Sequence, residues 1–183
     1  MKRIRRTVRL AAAVLAGILA LPATQVPTAS TAAATSLLMQ VKKRPLAPGF
    51  ILPDITGRPY RLEGMRGRVV VINFWTTGCP SCRAEMPALD RMWRNLRDRG
   101  VVVWAVHIGG NIEQIRRFVR ESGVSFPVLW DSGKLVADEW GVRFIPTTMV
   151  IGPDGRLEYI AFGGRVWTNP EIQNAILKLL EKS

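Results

Sequence analysis

Cys79 and Cys82 are the chain's only cysteines, and they stand two residues apart in Cys79-Pro80-Ser81-Cys82. A cross-link at that spacing closes too short a loop to restrict the unfolded chain much, so the pair is no structural staple. The spacing instead suits cycling between dithiol and disulfide. A strand-like run, Val69 to Trp75, leads in, and a helix-like run beginning at Pro80 leads out. Cys79 therefore falls at a helix N-terminus, where free backbone N–H groups and the helix dipole favour negative charge. Such placement lowers a cysteine pKa from ~8.5 into the range ~3.5–7.5 and makes the thiolate available as a nucleophile. Cys79 is the expected attacking thiol, and Cys82, one turn into the helix, the resolving thiol.

Further positions fit redox work. Glu85 lies three residues after Cys82 on the same helical face, where a carboxylate can manage thiol protons. A solvated helix glutamate is the alternative. Ile145-Pro146-Thr147 stands just ahead of a strand-like run. A cis proline there would set backbone beside the dithiol and let a substrate chain pair with it, whereas a trans proline would mark an ordinary loop. Trp75, Pro80, Ser81 and Ile145 are the expected substrate-contacting positions. A structural zinc site takes four Cys or His ligands, and the chain offers two cysteines and one histidine, His107. His107 reads as a structural residue of a strand, and no metal or cofactor is expected.

The elements that must position these residues follow from periodicity. Val69–Trp75 and Val101–Ile108 read as buried strands, and Phe126–Trp130 as a third. Residues 80 to 99 form a helix with Met86, Leu89, Met92, Trp93 and Leu96 on its inner face, stopped by Gly100. Asn111 caps a helix reaching Ser122, with Ile112, Ile115, Phe118 and Val119 inward. Ser132 to Trp140 is a short helix. Thr147–Ile151 and Leu157–Phe162 form a hairpin around Gly152-Pro153-Asp154-Gly155, and Asn169-Pro170-Glu171 opens a last helix. The order predicts an α/β fold, a mixed central sheet with helices on both faces.

The chain has 183 residues, and 26 Lys and Arg against 14 Asp and Glu give a net charge of +12. Lys2, Arg3, Arg5, Arg6 and Arg9 precede an apolar run from Leu10 to Leu21, and Ala32-Ala33-Ala34 offers a cleavage site. That run is shorter than the ~20 residues that span a bilayer. Residues 1–34 thus read as a secretory signal peptide, with an uncleaved inner-membrane anchor as the alternative. Residues 35–46 read as a linker and 47–183 as the domain. The basic residues are scattered rather than woven into a nucleic-acid motif, so a solvated basic surface is expected and no nucleic-acid partner.

The lead-in strand, Cys79-Pro80-Ser81-Cys82, Pro87 and Ile145-Pro146-Thr147 resemble thioredoxin-fold proteins. Ala47-Pro48, Leu52-Pro53-Asp54, Gly67 to Trp75, Arg83-Ala84-Glu85-Met86-Pro87 and Pro146-Thr147-Thr148 are similar to those of the exported TlpA/ResA-like thiol-disulfide oxidoreductases. That group includes proteins of cytochrome c maturation. The resemblance covers about residues 47 to 182 and implies a thioredoxin-like fold with an N-terminal extension and an added strand-helix insert over Asn111–Asp131. It also implies Cys79 and Cys82 as the redox pair, Pro146 as the cis proline and Glu85 as the active-site acid. Asn73 stands where thioredoxins proper place a buried aspartate. Gly78 departs from the pattern, since a tryptophan usually precedes the first cysteine.

The function expected is an exported, periplasmic protein-disulfide reductase, acting as a monomer on exported dithiol or disulfide proteins, apocytochrome c among the candidates. A membrane thiol protein would supply electrons. A disulfide oxidase or isomerase of the same fold is the alternative, because Pro80 makes the dipeptide resemble oxidant-type motifs. A thiol peroxidase is weaker, since Ile72 stands where that signature places a proline. A copper chaperone would want a longer Cys spacing and a partner histidine.

Overall fold

A computed structural model describes residues 37–182. The segment expected as a signal peptide lies outside the described residues. Among the described residues there are eight strands: β1 Met39–Gln40, β2 Ile51–Pro53, β3 Pro59–Arg61, β4 Val69–Trp75, β5 Val101–Ile108, β6 Val128–Asp131, β7 Thr147–Ile151 and β8 Leu157–Phe162. The α-helices are α1 Pro80–Leu96, α2 Ile112–Ser122, α3 Leu135–Glu139 and α4 Pro170–Leu177. Six strands form one sheet in the order β1-β8-β7-β4-β5-β6, and β2 and β3 pair separately. β4, β5 and β6 are parallel, while β7, β8 and β1 run antiparallel to their neighbours, so the sheet is mixed.

β4 is buried along its whole length and divides the core by alternation. Val69, Val71 and Trp75 face a cluster with Met86, Leu89, Met92 and Leu96 of α1, Ile115 of α2 and Ile172 and Ile176 of α4. Val70, Ile72 and Phe74 face the opposite cluster, with Trp104, Phe50, Leu52 and Leu62, and Val136 of α3. Helices thus cover both faces, as the pattern predicts.

β4, β5, β7 and β8 begin and end where the sequence places them, because each is a run rich in β-branched and other apolar residues bounded by turn or loop residues. Two elements shift. β6 spans Val128–Asp131 rather than Phe126–Trp130, since Pro127 has no N–H to give a ladder. α3 is shorter than expected, because Lys134 takes a left-handed conformation, φ 62°, and Asp131 Oδ2 accepts from Ala137 N–H at 2.9 Å. The stretch expected as a linker is partly ordered against the domain. Met39 and Gln40 pair with Ile160 and Tyr159, Leu38 is buried, and Arg44 ion-pairs with Glu158.

Candidate active site

α1 starts where the dithiol lies. Pro80 occupies its first turn, where a missing N–H costs nothing, and Cys79 is the cap. Cys79 and Cys82 are joined as a disulfide with their Cα atoms 5.3 Å apart. Cys79 Sγ accepts from Cys82 N–H at 3.2 Å and meets Ser81 Oγ at 3.3 Å. These are contacts that would also hold a thiolate. Cys82 is fully buried, Cys79 half-buried, and Pro80 and Ser81 are exposed. The more accessible sulfur is therefore that of Cys79.

The Ile145–Pro146 bond is cis. Thr147 lies opposite Phe74 in the β7–β4 ladder, which sets Pro146 level with the end of β4 from which the Cys79 loop departs. Pro146 O accepts from Gly163 N–H at 2.8 Å, tying the proline to the chain after β8. Ile145 is at the surface.

Glu85 is buried beneath the disulfide's helical turn. Its Oε1 accepts from Asn73 Nδ2 at 2.8 Å, and its Oε2 accepts from Trp167 Nε1 and from Arg165 N–H, each at 3.0 Å. Burial pushes the carboxyl above the usual glutamate range, against the pull of those donors. Asn73 Nδ2 also donates to Thr148 Oγ1 at 2.9 Å, so this network joins β4, α1, β7 and the loop before α4.

Two neighbours of the site carried no clear sequence signal. Trp167 lies in an aperiodic loop, and only the tertiary fold brings its indole N–H to Glu85. His107 is the structural strand residue that its position predicts, but its place beside Trp75 is set by the register of β4 and β5. Its Nδ1 donates to Gly109 O at 3.0 Å, so its Nε2 is left to accept from Thr77 N–H at 2.9 Å. A neutral ring thereby holds the loop leading to Cys79. Burial lowers the pKa of His107 and keeps the ring neutral.

One expected contact is corrected. Trp75 is fully buried, its ring 4.9 Å from those of both His107 and Phe118, so it packs under the site and does not meet a substrate. Pro80, Ser81 and Ile145 remain at the surface. Among the described residues, no group of three or more His, Cys, Asp or Glu converges as a metal site would need.

A two-cysteine disulfide capping the helix after the central strand, beside a cis proline, on this mixed sheet defines a thioredoxin-fold thiol-disulfide oxidoreductase. The AhpC/TSA family model matches residues 45–160. Thiol-disulfide oxidoreductase ResA of Bacillus subtilis is 33% identical over 117 residues, 64% of this chain and 65% of that protein. ResA of Halalkalibacterium halodurans is 36% identical over 118 residues, 64% of this chain and 67% of that protein. The match thus spans about two thirds of the curated relatives' length. A solved Chlorobium tepidum structure, described as a thiol:disulfide interchange protein DsbE, superposes with a TM-score of 0.68 at 28% identity, covering 73% of this chain and 94% of that one. The chain belongs to the AhpC/TSA family, among its ResA/TlpA-like thiol-disulfide oxidoreductases.

Proposed function

We propose that the protein reduces disulfides of exported client proteins through Cys79 and Cys82. The observation that carries this is the capping position of Cys79, whose sulfur is reachable while that of Cys82 is buried behind it. In the dithiol form, Cys79 thiolate attacks a client disulfide. One client sulfur leaves as thiolate and takes a proton, and a mixed disulfide joins the client to Cys79. Cys82, deprotonated, then attacks Cys79 Sγ, and the second client sulfur leaves. Two electrons pass to the client, and the Cys79–Cys82 disulfide is left behind. A dithiol donor, in the membrane on this reading, must return the two electrons.

The direction is supported by Glu85. A buried carboxyl one turn beyond Cys82 opposes a second negative charge there, which leaves the dithiol less stabilised and a better electron donor. Among the described residues, no basic side chain hydrogen-bonds either sulfur to offset this. Glu85 acts in this scheme as the proton acceptor for the Cys82 thiol, and the backbone at Ile145-Pro146 aligns the client chain. The signal-like residues 1–34 and the exported ResA-type chemistry support a periplasmic or otherwise exported location, with apocytochrome c as one client class and a monomer as the working unit.

Insulin-disulfide reduction by purified dithiol protein tests the reading. Cys79→Ser abolishes it, and Cys82→Ser accumulates a covalent mixed disulfide with the client that dithiothreitol releases. Unchanged reduction by Cys79→Ser would overturn the proposal.

A further inference from the structure

An open groove runs between the first turns of α1 and the face of α2, with two adjoining lobes of about 360 and 470 Å³. Thr77 and Gly78 line one lobe and Pro80 the other, so the groove begins at the loop that carries Cys79. Arg83, Phe118 and Glu121 line both lobes, and Arg117 adds a second cation to the first. Neither Arg83 nor Arg117 takes part in an ion pair among the described residues, whereas Arg116 on the same helix is tied to Glu113 and to Ile55 O. The Arg83 guanidinium lies 5.7 Å from the centre of the half-buried Phe118 ring, which forms an apolar floor.

Gly78 keeps the groove open. Its φ is not left-handed, and a Cβ placed there would meet nothing within 4 Å. The backbone therefore does not require glycine, and the missing side chain leaves room beside Cys79 for another chain.

We propose that this groove reads the client segment flanking the reacting cysteine and selects segments carrying Asp or Glu. The occupant is an extended client chain with carboxylates set against Arg83 and Arg117 and an apolar side chain against Phe118. Two unpaired cations against the single carboxylate of Glu121 give the groove its sign, and such a local field raises the encounter rate of the complementary partner. The inference rests on the disulfide-exchange reading above.

The test uses three cysteine peptides of equal length, each disulfide-linked to the same reporter thiol, with flanks of Asp, Asn or Lys. The rate of reporter release by the dithiol protein is divided by the rate with dithiothreitol, which removes each peptide's intrinsic reactivity. The expected order is Asp, Asn, Lys, with Asp over Lys by about tenfold at low salt and the gap closing at high salt. Arg117→Glu inverts or abolishes the Asp preference. Arg120→Glu makes the same charge change on α2 outside both lobes and keeps it. Thermal melts confirm that both variants fold. Equal normalised rates for the three peptides overturn the groove while the exchange reading stands. Equal loss of preference in both variants also overturns it, since net charge would then suffice. Failure to reduce any peptide overturns the exchange reading and the groove with it.

Discussion

Glu85 and His107 are the two buried ionisable groups that frame the disulfide, and burial shifts them in opposite directions. For Glu85 the folded pKa is raised above its ordinary 4.5, so its contribution to stability is fully present below that value and lost as pH rises through the folded pKa. Glu85→Gln removes this dependence. The melting temperature of the variant, relative to wild type, is expected to climb with pH above 4.5 and then level off, and parallel curves would contradict the assignment. For His107 the folded pKa is lowered from 6.5, so its contribution is fully present above 6.5 and lost as pH falls through the folded value. Protonation would also turn Nε2 into a donor facing the Thr77 N–H it now accepts from. Wild type is therefore expected to lose melting temperature between pH 7 and pH 5 more steeply than His107→Asn, and equal slopes would contradict it. The Cys79–Cys82 pair was legible because local sequence sets it, by a spacing and a helix start, whereas Ile-Pro-Thr before a strand left cis and trans open at Pro146 and only the family resemblance implied the cis bond. Trp75 was misjudged because its nearness to Cys79 in sequence does not show that the helices, with Phe118 of α2 among them, cover the face it points to. Trp167 was invisible because its bond to Glu85 spans 82 positions.

At the scale of elements, the site is a junction of β4, α1, β7 and the loop before α4, and α1 must hold still for the sulfurs to meet. Asp90 contributes to that. Its Oδ1 accepts from Ser125 N–H at 2.7 Å and Ser125 Oγ at 2.8 Å, and its Oδ2 pairs with Arg94 at 2.7 Å. Asp90→Ala leaves these donors without their acceptor and is expected to cost about 1–2 kcal/mol in urea unfolding. A loss below the error of the extrapolation would show that the tether is redundant. Long apolar elements were readable to the residue, as β4, β5, β7 and β8 show. β1 was not, because a two-residue strand has no period and exists only through its partner β8. α2 was placed correctly, yet only Ile115 of its four expected inner residues is fully buried. The helix lies over the open groove, and Phe118 stays half exposed there.

Across the whole molecule, the arrangement separates two tasks. The six-stranded sheet and its two apolar layers fix the end of β4, and everything chemical gathers where β4 gives way to α1. The basic excess of the chain concentrates no nucleic-acid motif, but it leaves Arg83 and Arg117 in the groove that opens at Thr77 and Gly78. Fold class and the Cys79–Cys82 pair were legible together because both hang on the same strand-to-helix junction. The direction of electron flow was not, since it depends on how buried charge balances the two redox states. The reduction potential of the Cys79–Cys82 pair tests that claim most directly, by equilibration in thiol-disulfide buffers and alkylation of the free thiols. A reductase with Glu85 set against a second anion is expected near thioredoxin's value of about −270 mV. A potential near −120 mV, that of a strong disulfide oxidant, would contradict the account.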